Sequence, residues 1–231
     1  MRVVSLVPSM TETLLAWGIE PVACTRFCEQ PRLRHVGGTK DPDVAAIVAL
    51  HPDLVIVDAE ENRIEDHDKL VAAGISVHVL RIVGLDDVDE QLLPLAERLS
   101  AVATPVGQLP EVPVTRSAFV PIWRRPWMAL GSPTYGTSVL AALGIANVFA
   151  RSVEFEGEGT AGAYPEVTLA DAAARGCDLV IAPSEPYPFT ERHRAELAEV
   201  APPVFLDGRD LLWWGTRTPA ALARLAALLA Q

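Results

Sequence analysis

Apolar residues in this chain fall into short unbroken runs, and stretches of helical period lie between them. VVSLV (3–7), DLVIVD (53–58) and ISVHVL (75–80) read as strands, the unbroken apolar ones fit for burial on both faces of a parallel sheet. SMTETLLAWG (9–18), DVAAIVALH (43–51) and EDHDKLVAAG (65–74) read as helices. Ser9-x-x-Glu12 has the form of a capping box, Gly18 closes the first helix, and Pro21-Val22-Ala23 begins the next strand. The second half follows the same order through LADAAARG (169–176), DLVIAP (178–183), TERHRAELAEV (190–200) and PVFLDG (203–208).

The two halves also match each other residue by residue. Placing Gly18 on Gly144 puts Thr11 on Thr137, Leu14 on Leu140, Ile19 on Ile145 and Val22 on Val148. Placing Asp53 on Asp178 aligns DLVIVD with DLVIAP at an offset one residue shorter. Two matches at nearly one spacing indicate a duplicated unit. Strands alternating with helices imply parallel sheets, so the expected class is α/β with two small lobes. The boundaries read as 1–84 for the first lobe, 85–117 for a connecting helix and linker, and 118–231 for the second lobe. Residues 86–100 suit a helix despite Pro94, whereas Pro105, Pro110 and Pro113 forbid its continuation.

Composition narrows the function classes. The net charge of −11 opposes a nucleic-acid partner, which needs clustered Lys and Arg. No apolar run approaches the roughly 20 residues that a membrane helix requires. The first residues lack the basic region, long apolar stretch and cleavage site of a secretory leader, so a cytoplasmic location is expected. Cys24, Cys28 and Cys177 are expected to be reduced thiols. Neither CTRFC with His35 nor Glu60, Glu61 and His67 has the spacing of a metal site, and no metal is expected.

In α/β sheets ligands bind at the carboxyl ends of the strands. The informative loops there are PSMT, TRFCEQP and DAEENR in the first half, and SPTYG, PSEPYPF and DGRDLLWWGTR in the second. Four of the five Trp (Trp123, Trp127, Trp213, Trp214) fall in second-half loops or strand ends, offering stacking area for a large planar ligand or plugging the core. Arg124, Arg125, Arg209 and Arg217 lie near them and suit carboxylate partners. GEGTAG (157–162) fits G-x-G-x-x-G, but Pro165 follows where a helix is required, so it reads as a loop over the cleft. Neither a phosphate loop nor G-x-S-x-G nor H-E-x-x-H is present, and no enzyme activity is expected.

SLVPSMTETLLAWG, VGGTKDPDVAAIVALHPDLVI and AAGISV resemble the first lobe of the helical-backbone substrate-binding proteins, the cobalamin and iron-chelate binders. FVPIWRRPWMALG, AYPEVTLADAAARGCDLVIAPSEPYPF and DGRDLLWWGTRTP resemble the second lobe. The resemblance implies two Rossmann-like lobes with parallel sheets facing a cleft, joined here by a shortened, proline-rich connection. It also implies a permease partner docked through one Glu on each lobe, yet Ala45 and Ala170 stand at those positions. Phe27 takes the place of a Tyr of the cobalamin binder and Tyr164 that of a Trp, while Thr39 and Asp58 replace two further aromatics.

The expected ligand contacts are Pro8, Ser9, Thr11, Phe27, Lys40, Glu60, Trp123, Arg124, Tyr135, Tyr164, Glu185, Trp213, Trp214 and Arg217. The expected ligand is a bulky cofactor or metal chelate, corrinoids first. The alternative is a cytoplasmic interaction or regulatory module that reuses the fold, with its cleft occluded by Trp213 and Trp214.

Overall fold

The computed structural model describes residues 1–150 and 162–230. By contacts the chain divides into two units. The first comprises Met1–Ile82, Asp86–Val106 and Trp214–Arg217. The second comprises Val83–Leu85, Gly107–Trp213 and Thr218–Gln231, as far as they are described.

The first unit runs β1 (Val3–Ser5), α1 (Pro8–Ala16), β2 (Ala23–Cys24), α2 (Val44–Ala49), β3 (Leu54–Asp58), α3 (Ile64–Ala72), β4 (Val77–Leu80) and α4 (Leu85–Arg98). Its strands form one parallel sheet in the order β2-β1-β3-β4. Every residue of β3 is buried, which is why its sequence is an unbroken apolar run ended by Asp58. Val4, Leu6, Ala23, Val36, Ile47, Val55, Val57 and Leu70 pack together into a core of this unit. Pro94 sits within α4, with Pro94 and Glu90 both exposed, so the carbonyl that loses its N–H partner is in reach of water.

The expected boundaries at 84 and 117 differ from the contact division. Val88, Leu92, Leu95 and Ala96 form a buried stripe on α4, and the Val106 N–H donates to Asp89 at 2.8 Å. These contacts give residues 86–106 to the first unit.

The second unit contains β5 (Arg116–Phe119), β6 (Pro121–Trp123), β7 (Trp127–Ala129), α5 (Tyr135–Ala142), β8 (Ile145–Asn147) and β9 (Glu166–Val167). It continues with α6 (Leu169–Arg175), β10 (Leu179–Pro183), α7 (Arg194–Leu197), β11 (Pro203–Leu206), α8 (Gly208–Leu212) and α9 (Thr218–Leu229). Its parallel sheet has the order β8-β5-β10-β11, which is the order of the first sheet repeated. Phe119, Ala129, Phe149, Ala172, Val180, Ala182, Phe189 and Leu197 are buried at its centre.

Three sequence expectations are corrected. The residue alignment places β1 against Ala129, but the strand in β1's position is β5. Between β5 and α5 the second unit inserts the antiparallel pair β6–β7, joined by β9 into a separate three-stranded sheet. Residues 190–200 form only a single 3-10 turn and the four-residue α7, not one continuous helix. Ser9 and Glu12 do not make a capping box: Val7 is the N-cap, without a side-chain hydrogen bond, and Pro8 opens α1. Proline suits that first position because its φ is preset and its missing N–H would have had no helical partner. The glycine-rich stretch 157–162 lies outside the described residues except for Gly162.

Candidate functional site

At the carboxyl edge of the first sheet, three loops are held together by polar contacts. Asn62 is the hub. Its Nδ2 donates to the Thr39 carbonyl at 2.9 Å and the Leu6 carbonyl at 3.3 Å, and its Oδ1 accepts from the Asp58 N–H at 2.8 Å. One side chain thereby clamps the loops after β1 and β3 to residue 39. The Lys40 ammonium donates to the Glu60 carbonyl at 2.5 Å and strengthens the same junction.

Asp58 ends β3 and is 3 % exposed. Its Oδ1 accepts from the N–H groups of Glu60 (2.8 Å) and Glu61 (3.2 Å), an Asx turn that shapes the loop. Its Oδ2 is buried without a hydrogen-bond partner. Burial pushes the carboxyl up to about 6, against the pull of the Glu60 and Glu61 N–H groups and a weaker pull from the Ile82 N–H, and with a smaller push from the Glu60 charge. Ser9, at the second position of α1, is also 3 % exposed, and its Oγ likewise has no partner. The first-turn N–H groups of Ser9 and Met10 have no carbonyl available within the helix.

Thr11 is fully buried rather than presented outward; its hydroxyl donates to the Val7 carbonyl at 3.0 Å and contacts Cys28 Sγ at 3.2 Å. The Thr25 hydroxyl contacts the same sulfur at 3.2 Å. The Cys24 thiol, then the two threonine hydroxyls, pull the Cys28 thiol down to about 6 despite its burial. The same contact with Cys28, together with burial, pushes Cys24 up. All three cysteines are free, and among the described residues no group of three or more His, Cys, Asp or Glu is placed to hold a metal. Burial should decide reactivity here, because Cys28 is 3 % exposed and Cys24 fully buried. A thiol reagent at pH 7.5 is expected to modify the half-buried Cys177 first, and Cys24 and Cys28 only on unfolding. Mass mapping that finds Cys28 modified first under native conditions would refute this.

The structure brings six expected residues to this edge: Pro8, Ser9, Thr11, Phe27, Lys40 and Glu60. Phe27 is half exposed, with the Arg26 guanidinium 4.8 Å from its ring centroid and Arg26 itself held by Asp41 at 2.9 and 3.0 Å. Pro8 is the buried first residue of α1. Trp214 is packed in the first unit at 4 % exposure, and Arg217 pairs with Glu12 at 2.9 and 3.2 Å.

In the second unit Trp123 is 43 % exposed and meets Tyr187 edge-on at 5.8 Å, while Trp127 stacks on Phe189 at 5.9 Å. Arg124 pairs with Glu196 at 3.0 and 3.1 Å, a contact that raises its pKa. Tyr135 is a core residue at 5 % exposure, its hydroxyl 2.9 Å from that of Thr218. Tyr164 and Trp213 are half-buried. Glu185 packs against Gly208, where a Cβ would lie 2.5 Å from Glu185 Cγ. Asp58 and Asn62 were not among the expected contacts. Their signal in the sequence is the Asp-x-x-x-Asn spacing directly after a buried strand.

Residues 3–111 match the family model described as periplasmic binding protein. The vitamin B12-binding protein of Salmonella choleraesuis is 29 % identical over 99 residues, covering 41 % of this chain and 37 % of the relative. That of Yersinia pestis is 32 % identical over 102 residues, covering 42 % and 36 %. The chain thus spans little more than a third of the length of the curated relatives it matches. The solved structure of the periplasmic vitamin B12 binding protein BtuF of Vibrio cholerae superposes with a TM-score of 0.74 at 19 % identity, covering 99 % of this chain and 96 % of that one. A periplasmic heme binding protein from Pseudomonas aeruginosa superposes with a TM-score of 0.76 at 20 % identity, covering 98 % and 91 %. By sequence over residues 3–111, and by α/β fold over nearly its whole length, this chain resembles the periplasmic binding proteins for vitamin B12 and heme.

Proposed function

We propose that the protein is a non-catalytic solute-binding homologue whose ligand is a bulky cofactor or metal chelate, with corrinoids first. The observation that carries this reading is the match of residues 3–111 to the periplasmic binding protein family and to relatives named for vitamin B12 binding. The loops clamped by Asn62 at the carboxyl edge of the first sheet supply the polar contacts, and Phe27 supplies an exposed aromatic surface beside them. The half-exposed Trp123 is the corresponding surface of the second unit.

Titration with cyanocobalamin, dicyanocobinamide, hemin and a ferric siderophore, followed by tryptophan fluorescence and thermal shift, tests the proposal. A saturable 1:1 response to a corrinoid is expected. No response to any of the four would favour the alternative, a regulatory or interaction module, in which Trp214 remains core and the fold serves contacts with other proteins.

Permease docking is not part of the proposed role. Ala45 and Ala170 are exposed at the second positions of α2 and α6, equivalent places in the two units, and neither offers a charge for an Arg on a membrane partner. The protein is therefore expected not to co-purify with a vitamin B12 permease complex. Recovery of the protein bound to such a permease would overturn this.

A further inference from the structure

Two buried polar atoms at the carboxyl edge of the first sheet have no partner: Oδ2 of Asp58 and Oγ of Ser9. They belong to neighbouring loops. Leu6, whose N–H bonds to the Ile56 carbonyl of β3, lies two residues before Pro8, and Asn62 ties its carbonyl to the loop that follows Asp58. Buried polar groups in native structures are nearly always paired, so orphaned ones of this kind ask for an explanation. Asp58 already satisfies the local fold through Oδ1, which accepts from Glu60 and Glu61. Oδ2 is thus surplus to the turn; the Ile82 N–H also pulls on the carboxyl but makes no hydrogen bond with this oxygen.

The two atoms differ in what they seek. An ionised carboxylate oxygen only accepts hydrogen bonds, whereas a hydroxyl donates as well as accepts. The first-turn N–H groups of α1 add donors beside Ser9. An acceptor on one loop and donors on its neighbour are together complementary to a primary carboxamide, which presents N–H groups and a carbonyl on one planar unit. A ligand carboxylate fits less well, since its charge would face that of Asp58 while it has no N–H to give.

We propose that Asp58 and Ser9 form a recognition subsite for a carboxamide on the rim of the ligand, and so select amide-rimmed macrocycles over carboxylate-rimmed ones. The inference rests on the proposed binding of a corrinoid-like ligand, and gives that reading its specificity. Both atoms lie out of contact with solvent, so admitting the amide requires the loops clamped by Asn62 to separate. The bond then forms away from water, where competition for it is weak.

The test uses one macrocycle with two rims, dicyanocobinamide (carboxamides) and dicyanocobyrinic acid (carboxylates), titrated into the full chain at pH 7.5. The wild type is expected to favour the amide form at least tenfold, the scale of one hydrogen bond to a charged group. Asp58→Asn should lose most of that preference, chiefly through weaker cobinamide binding, and Ser9→Ala should weaken cobinamide binding several-fold. Because Asp58→Asn is expected to be more stable than the wild type, a loss of binding in that variant is not a loss of folding; thermal melts on the same samples check this. If the wild type binds both corrinoids equally, or both variants retain its preference, the subsite is refuted while the corrinoid reading stands. If the wild type binds neither, the corrinoid reading itself fails and the subsite with it.

Discussion

Asp58→Asn is expected to stabilise the protein above pH 6. Burial raises the carboxyl of Asp58 from 3.8 to about 6 in the folded state. A raised carboxylate binds a proton in the folded chain at pH values where the unfolded chain has already released it. Stability therefore falls as pH rises from about 4 to about 6 and then levels off. A shift of this size corresponds to at most about 3 kcal/mol. Asparagine keeps an Oδ1 to accept from the Glu60 and Glu61 N–H groups, and it carries no charge to bury. The gain over wild type should be near zero at pH 3, grow between pH 4 and 6, and stay constant above. Urea unfolding across that pH range measures it. An Asp58→Asn variant less stable than wild type at pH 7.5, or a difference that does not change with pH, would show that Asp58 is satisfied by groups other than those described. Natural sequences retain such costs mainly where function needs them, and the carboxamide subsite would be the reason at this position.

The second large effect is expected at Gly215. Its φ of 112° lies in the region that favours glycine, and an added Cβ would collide with the hydroxyl of Thr13, a residue 1 % exposed. Around it, the Thr216 N–H donates to Thr13 Oγ1 at 3.3 Å and Arg217 pairs with Glu12. These contacts attach residues 214–217 to α1 within the first unit. Gly215→Ala should destabilise that unit by roughly 2–5 kcal/mol, the backbone strain and the overlap acting together. Trp17 and Trp214 belong to the same unit and report its unfolding by fluorescence. Adding Thr13→Ala should recover part of the loss, because it removes the overlap but not the strain, and a double-mutant cycle reads that coupling. A Gly215→Ala variant within about 0.5 kcal/mol of wild type, the range typical of uneventful surface changes, would refute the close approach.

Much of the architecture was legible from local pattern. A strand buried on both faces must be apolar throughout, so DLVIVD and DLVIAP announced β3 and β10. The duplication was legible for the same reason, since each copy must bury the same faces, and the sheet order is indeed repeated. The loops that carry the candidate site follow from the rule that parallel sheets bind ligands at their carboxyl edge. The capping box was misread because Ser-x-x-Glu is also compatible with helix interior, and Pro8 one residue earlier took the first position.

What only the tertiary structure decided depends on partners distant in sequence. The strands β6, β7 and β9 are two or three residues long, and β9 pairs with a strand some forty residues earlier, so no local period marks them. Glu12 reads as a helix-capping residue until Arg217, 205 positions away, claims its carboxylate. Tyr135 and Trp214 have the composition of a ligand platform and the burial of core residues, a distinction that packing alone makes. Asp58 is the clearest case. Its sequence position shows a carboxylate ending a buried strand, but only the assembled loops determine that one oxygen shapes a turn while the other is left without a partner.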